Sequence, residues 1–417
     1  MAIRSARTAL LLFYTTSLLL GQSGADSYVI RNVRVFDGES VVERQTVVIS
    51  DGKIAAVGPA AAVPAGAQDI AGEGRTLLPG LMDAHVHLPF FSPMDALRQS
   101  LAFGVTTSVI MWAAPPIVAQ VKDAGDRPDA TAALIAGLGA TAPGGHPTQM
   151  GGGAFPTLTA PGEADAFVAA RLAEGSDFIK IIYDEIEKYG KRPTLDEATV
   201  RALAAAAHTR GRIAVAHIGT ERHARGAVTA GVDGLAHLFE GTAVSADFGQ
   251  FAAKHSVFVI PTLSVLYAAC GKSDAPSIAQ DADAMKRVLP QFSGLLEMQT
   301  TVSNFSCAAA PQAIRQLVTA GVPVLAGTDA PAPGLTYGAS LHRELEHLVD
   351  AGLSPAAALA AATSAVARAF RMNDRGRIRT GMRADLLLVD GDPSKQIRDT
   401  RNIVAIWKRG VRVERAP

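Results

Sequence analysis

Residues 78–88 read LPGLMDAHVHL, an apolar run that follows a Pro-Gly pair and ends in two histidines one residue apart. In a β-strand successive side chains point to opposite faces, so His85 and His87 would project from the same face. Two imidazoles aimed at one point make half of a metal site, because imidazole is a common ligand of zinc and related divalent ions. Two satisfied histidines in the core or at the surface would leave the same pattern, so further ligands elsewhere in the chain must decide.

Apolar strands alternate with alanine-rich helical stretches from this point onward. The pattern predicts eight strands, at 81–87, 106–111, 131–138, 178–183, 213–217, 234–238, 257–262 and 322–328. Repeated βα units predict a parallel sheet with helices outside it, and eight such strands predict an α/β fold of the (β/α)8 TIM-barrel type. An open doubly wound sheet is the alternative, but the Gly-rich phosphate loop usual in that fold is missing.

The two ends of the chain have an all-β pattern. Alternating runs with turns occupy 28–38 and 46–58 near the N-terminus, and 384–391 and 403–413 near the C-terminus. We expect these two ends to join into one small β-sandwich beside the barrel. The predicted organisation is a signal peptide at 1–25, the N-terminal part of the sandwich at 26–77, the barrel at 78–372 and the C-terminal part of the sandwich at 373–417.

The first 25 residues have the pattern of an export signal. Arg4 and Arg7 precede an apolar run at 9–20 that is too short to span a bilayer comfortably, and the small residues at 23–25 suit a cleavage site. An uncleaved membrane anchor is the alternative. Cleavage predicts a periplasmic or secreted protein with no stable membrane insertion.

The composition limits the classes of partner. The 417 residues are 48% hydrophobic and 19% charged, with a formal net charge of zero. This is a globular composition that gives no reason to expect nucleic acid as a partner, so we expect a small-molecule substrate and leave a homo-oligomer open.

The chain has two cysteines, Cys270 and Cys307, without metal-ligand spacing. In an exported protein they would form one disulfide, and two buried free thiols are the equal alternative. The segment 264–312 that contains them is long for a connection between barrel elements, and we expect it to form a partial lid.

Polar residues recur where the predicted barrel strands end. They are His85, His87, Lys180, His217, His237 and Asp329. Because the active site of a TIM barrel lies at the C-terminal ends of its strands, these side chains should meet at one rim. Each has an ordinary explanation, such as a helix N-cap for the aspartate, but their coincidence at one rim favours a metal site.

This arrangement resembles the amidohydrolase superfamily, and in particular its binuclear branch, whose bridging lysine is carboxylated. The stretches at 78–87, at 325–330 (LAGTDA) and at 381–389 (GMRADLLLV) are similar to the motifs of that family. The resemblance covers nearly all of the chain after the signal peptide. It is greatest with the imidazolonepropionase-like and the Xaa-Pro or Xaa-Arg dipeptidase-like members.

The resemblance implies two divalent metal ions, with Zn²⁺ as the first candidate. His85, His87 and Asp329 would bind one metal, and His217 and His237 would bind the other. Carboxylation of Lys180 by CO2 would turn this cation into an anionic bridge between them. Asp329 would also be catalytic, as the group that moves the proton of a metal-bridging hydroxide to the leaving amine.

Such a site implies hydrolysis of a non-cyclic or peptide amide C–N bond, by a dipeptidase, a carboxypeptidase or an N-acyl amino acid hydrolase. The alternatives are a cyclic amidase, lactonase or phosphotriesterase on the same site, and a catalytically inactive barrel that acts as a binding protein. His146, in the loop after the third strand, and Tyr183, just beyond Lys180, are candidate substrate-binding residues. The stretch IIYDE at 181–185 departs from the Gly- or Ser-rich sequence of relatives, so the resemblance does not carry their substrate preference over.

Overall fold

The structure is a computed structural model that describes residues 27–150, 156–185, 191–299, 302 and 305–414. The signal peptide predicted at 1–25 lies outside these residues and stays a prediction. Within the described ranges, no helix combines the length and the apolar character that crossing a membrane requires.

Strands and helices follow one another in the order that the sequence predicts. In chain order the strands are β1 (Tyr28–Phe36), β2 (Val41–Ser50), β3 (Lys53–Gly58), β4 (Gln68–Ala71), β5 (Arg75–Pro79), β6 (Leu81–His87), β7 (Val105–Trp112), β8 (Ala132–Ile135), β9 (Ile179–Ile182), β10 (Ala214–His217), β11 (Gly234–Ala236), β12 (Phe258–Ile260), β13 (Leu386–Asp390), β14 (Ile403–Lys408) and β15 (Val411–Arg412). The helices are α1 (Pro93–Ala102), α2 (Pro115–Ala124), α3 (Ala164–Ala173), α4 (Glu197–His208), α5 (Glu221–Thr229), α6 (Phe248–Lys254), α7 (Leu263–Ala269), α8 (Ala275–Ala279), α9 (Ala282–Met285), α10 (Pro290–Ser293), α11 (Ala309–Thr319), α12 (Ala339–Asp350), α13 (Pro355–Ala361) and α14 (Ser364–Ala369).

The two ends of the chain join in one eight-stranded sheet, in the order β15-β14-β13-β5-β1-β2-β3 with β4 paired to β1. The junction is the antiparallel pair β5–β13, in which Arg75–Pro79 oppose Leu386–Asp390. The rings of Tyr28 in β1 and Trp407 in β14 touch with centroids 5.8 Å apart, although β5 and β13 lie between those strands in the sheet. The sheet therefore curls around its own apolar core.

The middle of the chain supplies parallel strands with helices between them. β6, β7 and β8 form one parallel sheet, and β9 to β12 form another. Two backbone hydrogen bonds link these sheets, from Ala140 N to Lys180 O (2.9 Å) and from Ile182 N to Ala140 O (2.8 Å). Seven of the eight predicted strands are thus present, with several shorter than predicted.

The eighth predicted strand, at 322–328, is not a regular strand. Its segment makes only isolated parallel bridges, from Val324 to Val259 and from Ala330 to Val86. It still lies between β12 and β6, because Leu325 N donates to Val259 O (2.9 Å) and Ala84 N donates to Ala326 O (2.9 Å). The segment also approaches β6 closely at Gly327, where an added Cβ would lie 2.9 Å from the backbone N of His85.

Alternation along the parallel strands sets which side chains reach the site. Phe178 and Val215 are buried in an apolar cluster, and each stands two residues before a polar residue of its own strand, Lys180 or His217. Residues two apart share a face of a strand, so the two polar groups lie one layer above this apolar floor.

The segment 264–312 contains most of α7 together with α8, α9 and α10, and a disulfide joins Cys270 and Cys307 within it. The sequence alone left the two cysteines open between a disulfide and two thiols. The pairing bridges a sequence separation of 37 residues and ties the end of α7 to the stretch that leads into α11.

Candidate active site

Three of the predicted ligands, His85, His87 and Asp329, lie in contact with one another at the end of β6. His85 and His87 end β6 on the same face, and their Nε2 atoms lie 3.3 Å apart. Asp329 Oδ1 lies 3.1 Å from His85 Nε2 and 2.8 Å from His87 Nε2. The backbone brings them together, because Asp329 N donates to His85 O at 2.7 Å.

The remaining imidazoles continue this group in a row of touching rings. The ring centroids lie 4.6 Å apart for His85 and His237, 4.5 Å for His237 and His217, and 5.2 Å for His217 and His146. His85, His237 and Asp329 each place one ligand atom within 4.8 Å of the other two. The strand ends therefore bring all four predicted histidine ligands and the aspartate to one place.

Lys180 lies in β9 and is 2% exposed. Its Nζ has no hydrogen-bond partner among the described residues, and burial lowers its pKa to about 7. A buried ammonium among imidazoles would normally need an anionic partner. We refer to His85, His87, Lys180, His217, His237 and Asp329 as the six-residue cluster.

The electrostatics of the cluster suit a cation. Burial, followed by repulsion from Lys180, lowers the pKa of His85 to about 3, and burial likewise lowers the pKa values of His217 and His237. Burial alone would raise the pKa of Asp329, but attraction to His85 and hydrogen bonds with His85 and His87 hold it well below its usual value. Neutral imidazoles beside an ionised carboxylate are the protonation states that bind divalent metals.

Two members of the cluster stand on left-handed backbone. His237 has φ 74° and Asp329 has φ 67°, values that residues other than glycine rarely adopt. His237 directly follows β11, so in regular extended backbone its side chain would point away from the face that Ala236 occupies. Strained residues of this kind concentrate at functional sites, and here the positive φ turns the imidazole toward the cluster.

Hydrogen bonds from neighbouring elements hold the ligands in orientation. His237 Nδ1 lies 2.8 Å from Thr262 Oγ1, so its Nε2 is the atom left for a metal. Buried Asp83 accepts from His85 N (3.1 Å) and Thr328 Oγ1 (2.7 Å), which ties β6 to the eighth segment. Neither Thr262 nor Asp83 is predicted from the sequence, although Asp83 lies two residues before His85 on the same face of its strand.

A second carboxylate, Asp184, lies between two imidazoles. Its Oδ2 is 3.4 Å from His217 Nε2 and its Oδ1 is 3.4 Å from His223 Nδ1. A Cβ on Gly219 would lie 2.4 Å from Asp184 Oδ2, so the glycine makes room for this carboxylate. Because Asp184 faces Nε2 of His217, Nδ1 is the nitrogen directed away from the carboxylate and is the candidate ligand atom of that ring.

The two candidate substrate residues lie in different surroundings. His146 stacks on His217, its Nδ1 lies 2.7 Å from Gln149 Nε2, and it lines the cavity above the cluster. Tyr183 is 5% exposed and belongs to the apolar core around the helices, where a Cβ on Gly226 of α5 would lie 3.0 Å from its hydroxyl. Alternation explains the difference, because Tyr183 lies on the strand face opposite to that of Lys180 and Ile182.

The cavity above the cluster has two lobes that share His146, Met150, His217, His237, Asp329, Ala332 and Pro333. The first, which we call the aromatic lobe, has a volume of about 430 Å³ and is bounded by Leu88, Phe90, Met111, Trp112, Pro147 and Pro331. The second, which we call the acidic lobe, has a volume of about 420 Å³ and is bounded by Asp184, Ile218, Leu238, Glu240, Leu266 and Phe305. Leu266 and Phe305 come from the segment 264–312, which therefore forms one wall of the cavity.

The chain matches a known protein family over most of its length. The model of the amidohydrolase family matches residues 76–413. The imidazolonepropionases of Mycolicibacterium smegmatis and Salinispora arenicola are 25% and 26% identical to this chain, over 90% of it and over 91% and 92% of their own lengths.

Two solved structures have folds similar to that of this chain. A putative prolidase from Bifidobacterium longum superposes with a TM-score of 0.75 and 26% identity, covering 94% of this chain and 96% of that one. A Xaa-Pro dipeptidase with bound methionine shares the fold with a TM-score of 0.74 and 23% identity, over 93% of this chain and all of that one. These likenesses imply the TIM-barrel architecture. The chain belongs to the amidohydrolase family and is a hydrolytic enzyme that acts on carbon–nitrogen bonds.

Proposed function

We propose that this protein is a hydrolase that depends on two divalent metals and cleaves a non-cyclic or peptide amide bond. The observation that carries the proposal is the convergence of four imidazoles and one carboxylate at a cavity that is also lined by Lys180, whose buried amino group has no partner among the described residues. A structural role for Lys180 would require a partner for its Nζ. A modification of the amine that adds ligand oxygens meets that requirement.

The donor set fits a pair of zinc ions. His85, His87 and Asp329 would hold one, and His217 and His237 the other. The amine of Lys180, once neutral, would attack CO2, forming an N–C bond and releasing a proton, and the resulting carboxylate would add ligand oxygens to the site. Bound metals would supply a hydroxide nucleophile near neutral pH and polarise the scissile carbonyl.

The chain's own residues then position groups and move protons. Asp329 accepts the proton of the nucleophile at a carboxylate oxygen and donates it to the nitrogen of the leaving amine. Thr262 and Asp184 hold the rings of His237 and His217 by their second nitrogen atoms, which fixes the ligand atoms of both.

We also propose that the parallel strands and the eighth segment close into a (β/α)8 barrel, and that the curled sheet of the chain ends is a β-sandwich. Closure is supported by the hydrogen bonds of the eighth segment to both β12 and β6 and by the bonds between Ala140 and β9. The ring contact of Tyr28 with Trp407 supports the sandwich.

Dipeptides and N-acyl amino acids are the first substrates to test, because two of the structural relatives are named as a prolidase and a Xaa-Pro dipeptidase. A cyclic amide is the second candidate, favoured by the relatives named imidazolonepropionase. Lactones and phosphotriesters on the same site are further alternatives. A catalytically inactive binding barrel is disfavoured, since each position at which the resemblance implies a metal ligand carries a suitable side chain.

Metal analysis of the purified chain combined with a substrate screen tests the proposal. We expect about two equivalents of zinc per chain, with reconstitution of the metal-free chain requiring bicarbonate, and hydrolysis of at least one acyclic amide. Lys180→Ala should lose the bicarbonate dependence together with most activity. A chain that binds no metal, or that cleaves lactones or paraoxon-like esters but no amide, would contradict the proposal.

Export to the periplasm or medium remains our proposal for localisation. The signal-like sequence at 1–25 supports it, and a paired Cys270–Cys307 suits an oxidising compartment. N-terminal sequencing of the mature protein should begin at Asp26; a mature chain that keeps residues 1–25 would contradict cleavage.

A further inference from the structure

The aromatic lobe carries apolar side chains that the fold itself does not bury. Phe90 is 61% exposed and Met150 is 76% exposed, and both border the lobe beside the six-residue cluster. The ring of Phe90 stands edge-on to Trp112, with centroids 5.8 Å apart and an interplanar angle of 71°. Exposed apolar groups gathered at the mouth of a cavity mark a binding surface rather than a packing defect.

Away from the six-residue cluster and His146, the described part of the aromatic lobe offers no partner to a charged group. Among the described residues that line it, every side chain outside the cluster and His146 is uncharged. A carboxylate or an ammonium placed in that part of the lobe would lose its hydration with no ion pair in return. The acidic lobe differs, because Asp184 and Glu240 line it.

The volume and the position of the aromatic lobe indicate which part of the substrate would occupy it. A volume of about 430 Å³ lies within the range of small-ligand sites and admits an aryl ring or a branched alkyl chain. Because the lobe shares His217, His237 and Asp329 with its neighbour, a group bound there would be attached directly to the bond that the cluster attacks.

We propose that the aromatic lobe binds an uncharged apolar group of the amide substrate, and that Phe90 and Trp112 determine this specificity. The inference rests on the proposed amide hydrolysis and names the class of substrate: amides in which one side of the scissile bond bears an aryl or branched alkyl group and no charge.

Six neutral or anionic amides test this proposal from both sides of the scissile bond. One arm varies the acyl group of alaninamide as acetyl, phenylacetyl or succinyl. The other varies the amine of acetamide as methylamine, benzylamine or β-alanine. The arm that varies the group bound in the lobe should show the preference. In that arm, kcat/KM for the phenyl compound should exceed that of the methyl parent by about 30- to 100-fold, as burial of an aryl group would give, and the carboxylate compound should be the poorest substrate.

Variants assign the effect to the lobe. Phe90→Ala and Trp112→Ala should each reduce the phenyl-to-methyl ratio of kcat/KM by about 10-fold or more. Phe91→Ala is the matched control, because Phe91 is 65% exposed beside Phe90 but does not line the cavity, so its ratio should stay that of the parent chain. Phe90 is a surface residue, so this variant keeps the test valid if Trp112→Ala fails to fold.

The outcomes separate the two proposals. Equal kcat/KM for methyl and phenyl compounds in both arms, or a preference for the carboxylates, overturns the lobe while leaving amide hydrolysis intact. A zinc-loaded chain that cleaves none of the six, and no dipeptide or other N-acyl amino acid either, overturns the proposed function. Whenever none of the six is cleaved, calorimetric titration with N-benzylacetamide and N-acetyl-β-alanine decides the lobe: we expect binding of the benzyl compound alone, weakened in Phe90→Ala, and the lobe proposal is overturned if the benzyl compound does not bind or binds no better than the carboxylate.

Discussion

Asp329 occupies a position that serves a ligand and a proton carrier at once. Its Oδ1 lies within 3.1 Å of two imidazole nitrogens, and its backbone φ of 67° holds it there. We expect Asp329→Asn to lower kcat by about 10²- to 10⁴-fold, because the amide oxygen can still bind a cation but the group no longer accepts a proton. Kinetics of metal-replete protein, with zinc measured on the same sample, would check this. Near-normal turnover with both metals bound would remove the proton-transfer role.

Thr262 acts on the site through His237. Removing its hydroxyl in Thr262→Val keeps the shape and the branched Cβ but deletes the 2.8 Å contact with Nδ1. We expect zinc affinity or activity to fall about 10- to 100-fold, as for other groups that orient a metal-binding histidine. Thr262→Ser is the control and should stay close to the parent chain. Equal loss in both variants would point to the backbone of this left-handed residue instead.

At the scale of elements, helix α12 fixes the start of helix α7. Fully buried Glu344 accepts from the backbone N of Leu263 (2.9 Å) and of Ser264 (2.7 Å), and from the Ser264 hydroxyl (2.8 Å). The first N–H groups of a helix have no partner within it, so this carboxylate caps α7 directly after Thr262. α7 in turn carries part of the cavity wall.

Glu344→Gln should therefore destabilise α7 and the site together. The amide NH2 would face a donor, leaving one buried N–H unsatisfied, which costs about 1–3 kcal/mol. We expect urea unfolding to report that loss and KM to rise. Glu297→Gln, at an exposed residue of the same wall segment, is the control and should change neither quantity. An unchanged free energy of unfolding in Glu344→Gln would mean that the cap is dispensable.

The disulfide acts on the same segment from its other end. Cys270 and Cys307 close a loop of 37 residues, for which the chain-entropy model gives about 4 kcal/mol of stabilisation. The double variant Cys270→Ser/Cys307→Ser should lose roughly that amount, measured by denaturant unfolding without reductant. The parent chain should lose the same amount on addition of dithiothreitol, and the variant should not respond. A parent chain that is insensitive to reductant would show that the two thiols are not paired in the protein.

At the scale of the whole molecule, an ion cluster joins the chain-end sheet to the barrel segment. Lys408 in β14 is fully buried, and its Nζ lies 2.5 Å from Asp126 Oδ1 in the loop between α2 and β8. Arg383 also pairs with Asp126, and its NH2 lies 2.8 Å from Asp385 Oδ2. Burial alone would raise the pKa of Asp126, but hydrogen bonds from Arg383 and Lys408 lower it to about 2.

Asp126→Asn should destabilise the protein by roughly 3 kcal/mol near neutral pH, because it leaves a buried ammonium with weaker compensation. The folded-state pKa of Asp126 lies below its usual 3.8, so its contribution is complete above about pH 4 and is lost as the pH falls toward 2. The difference in unfolding free energy between parent and variant should shrink over that range. Asp129→Asn, in an exposed pair with Arg127, should cost about 0.5 kcal/mol or less. A difference independent of pH would place the effect elsewhere.

Residue types and their order along the chain carried most of the fold and the identity of the six-residue cluster. Strand and helix periods are local properties, and parallel strands put their C-terminal ends on one side, so His85, His87, Lys180 and His217 could be assigned to one rim before any coordinates. The same alternation, applied strictly, would have placed Tyr183 on the outer face.

Only the tertiary structure decided what depends on backbone angles and on distant neighbours. The left-handed φ of His237 and Asp329 orients side chains that alternation along a strand does not predict. The segment predicted as the eighth strand makes only isolated bridges and approaches β6 closely at Gly327. Segments far apart in sequence meet in the pairing of Cys270 with Cys307 and in the contact of Asp184 with two imidazoles. Such segments also line both lobes of the cavity. Local sequence patterns do not predict such contacts, because packing of the whole chain, rather than the propensity of any one segment, determines which distant residues meet.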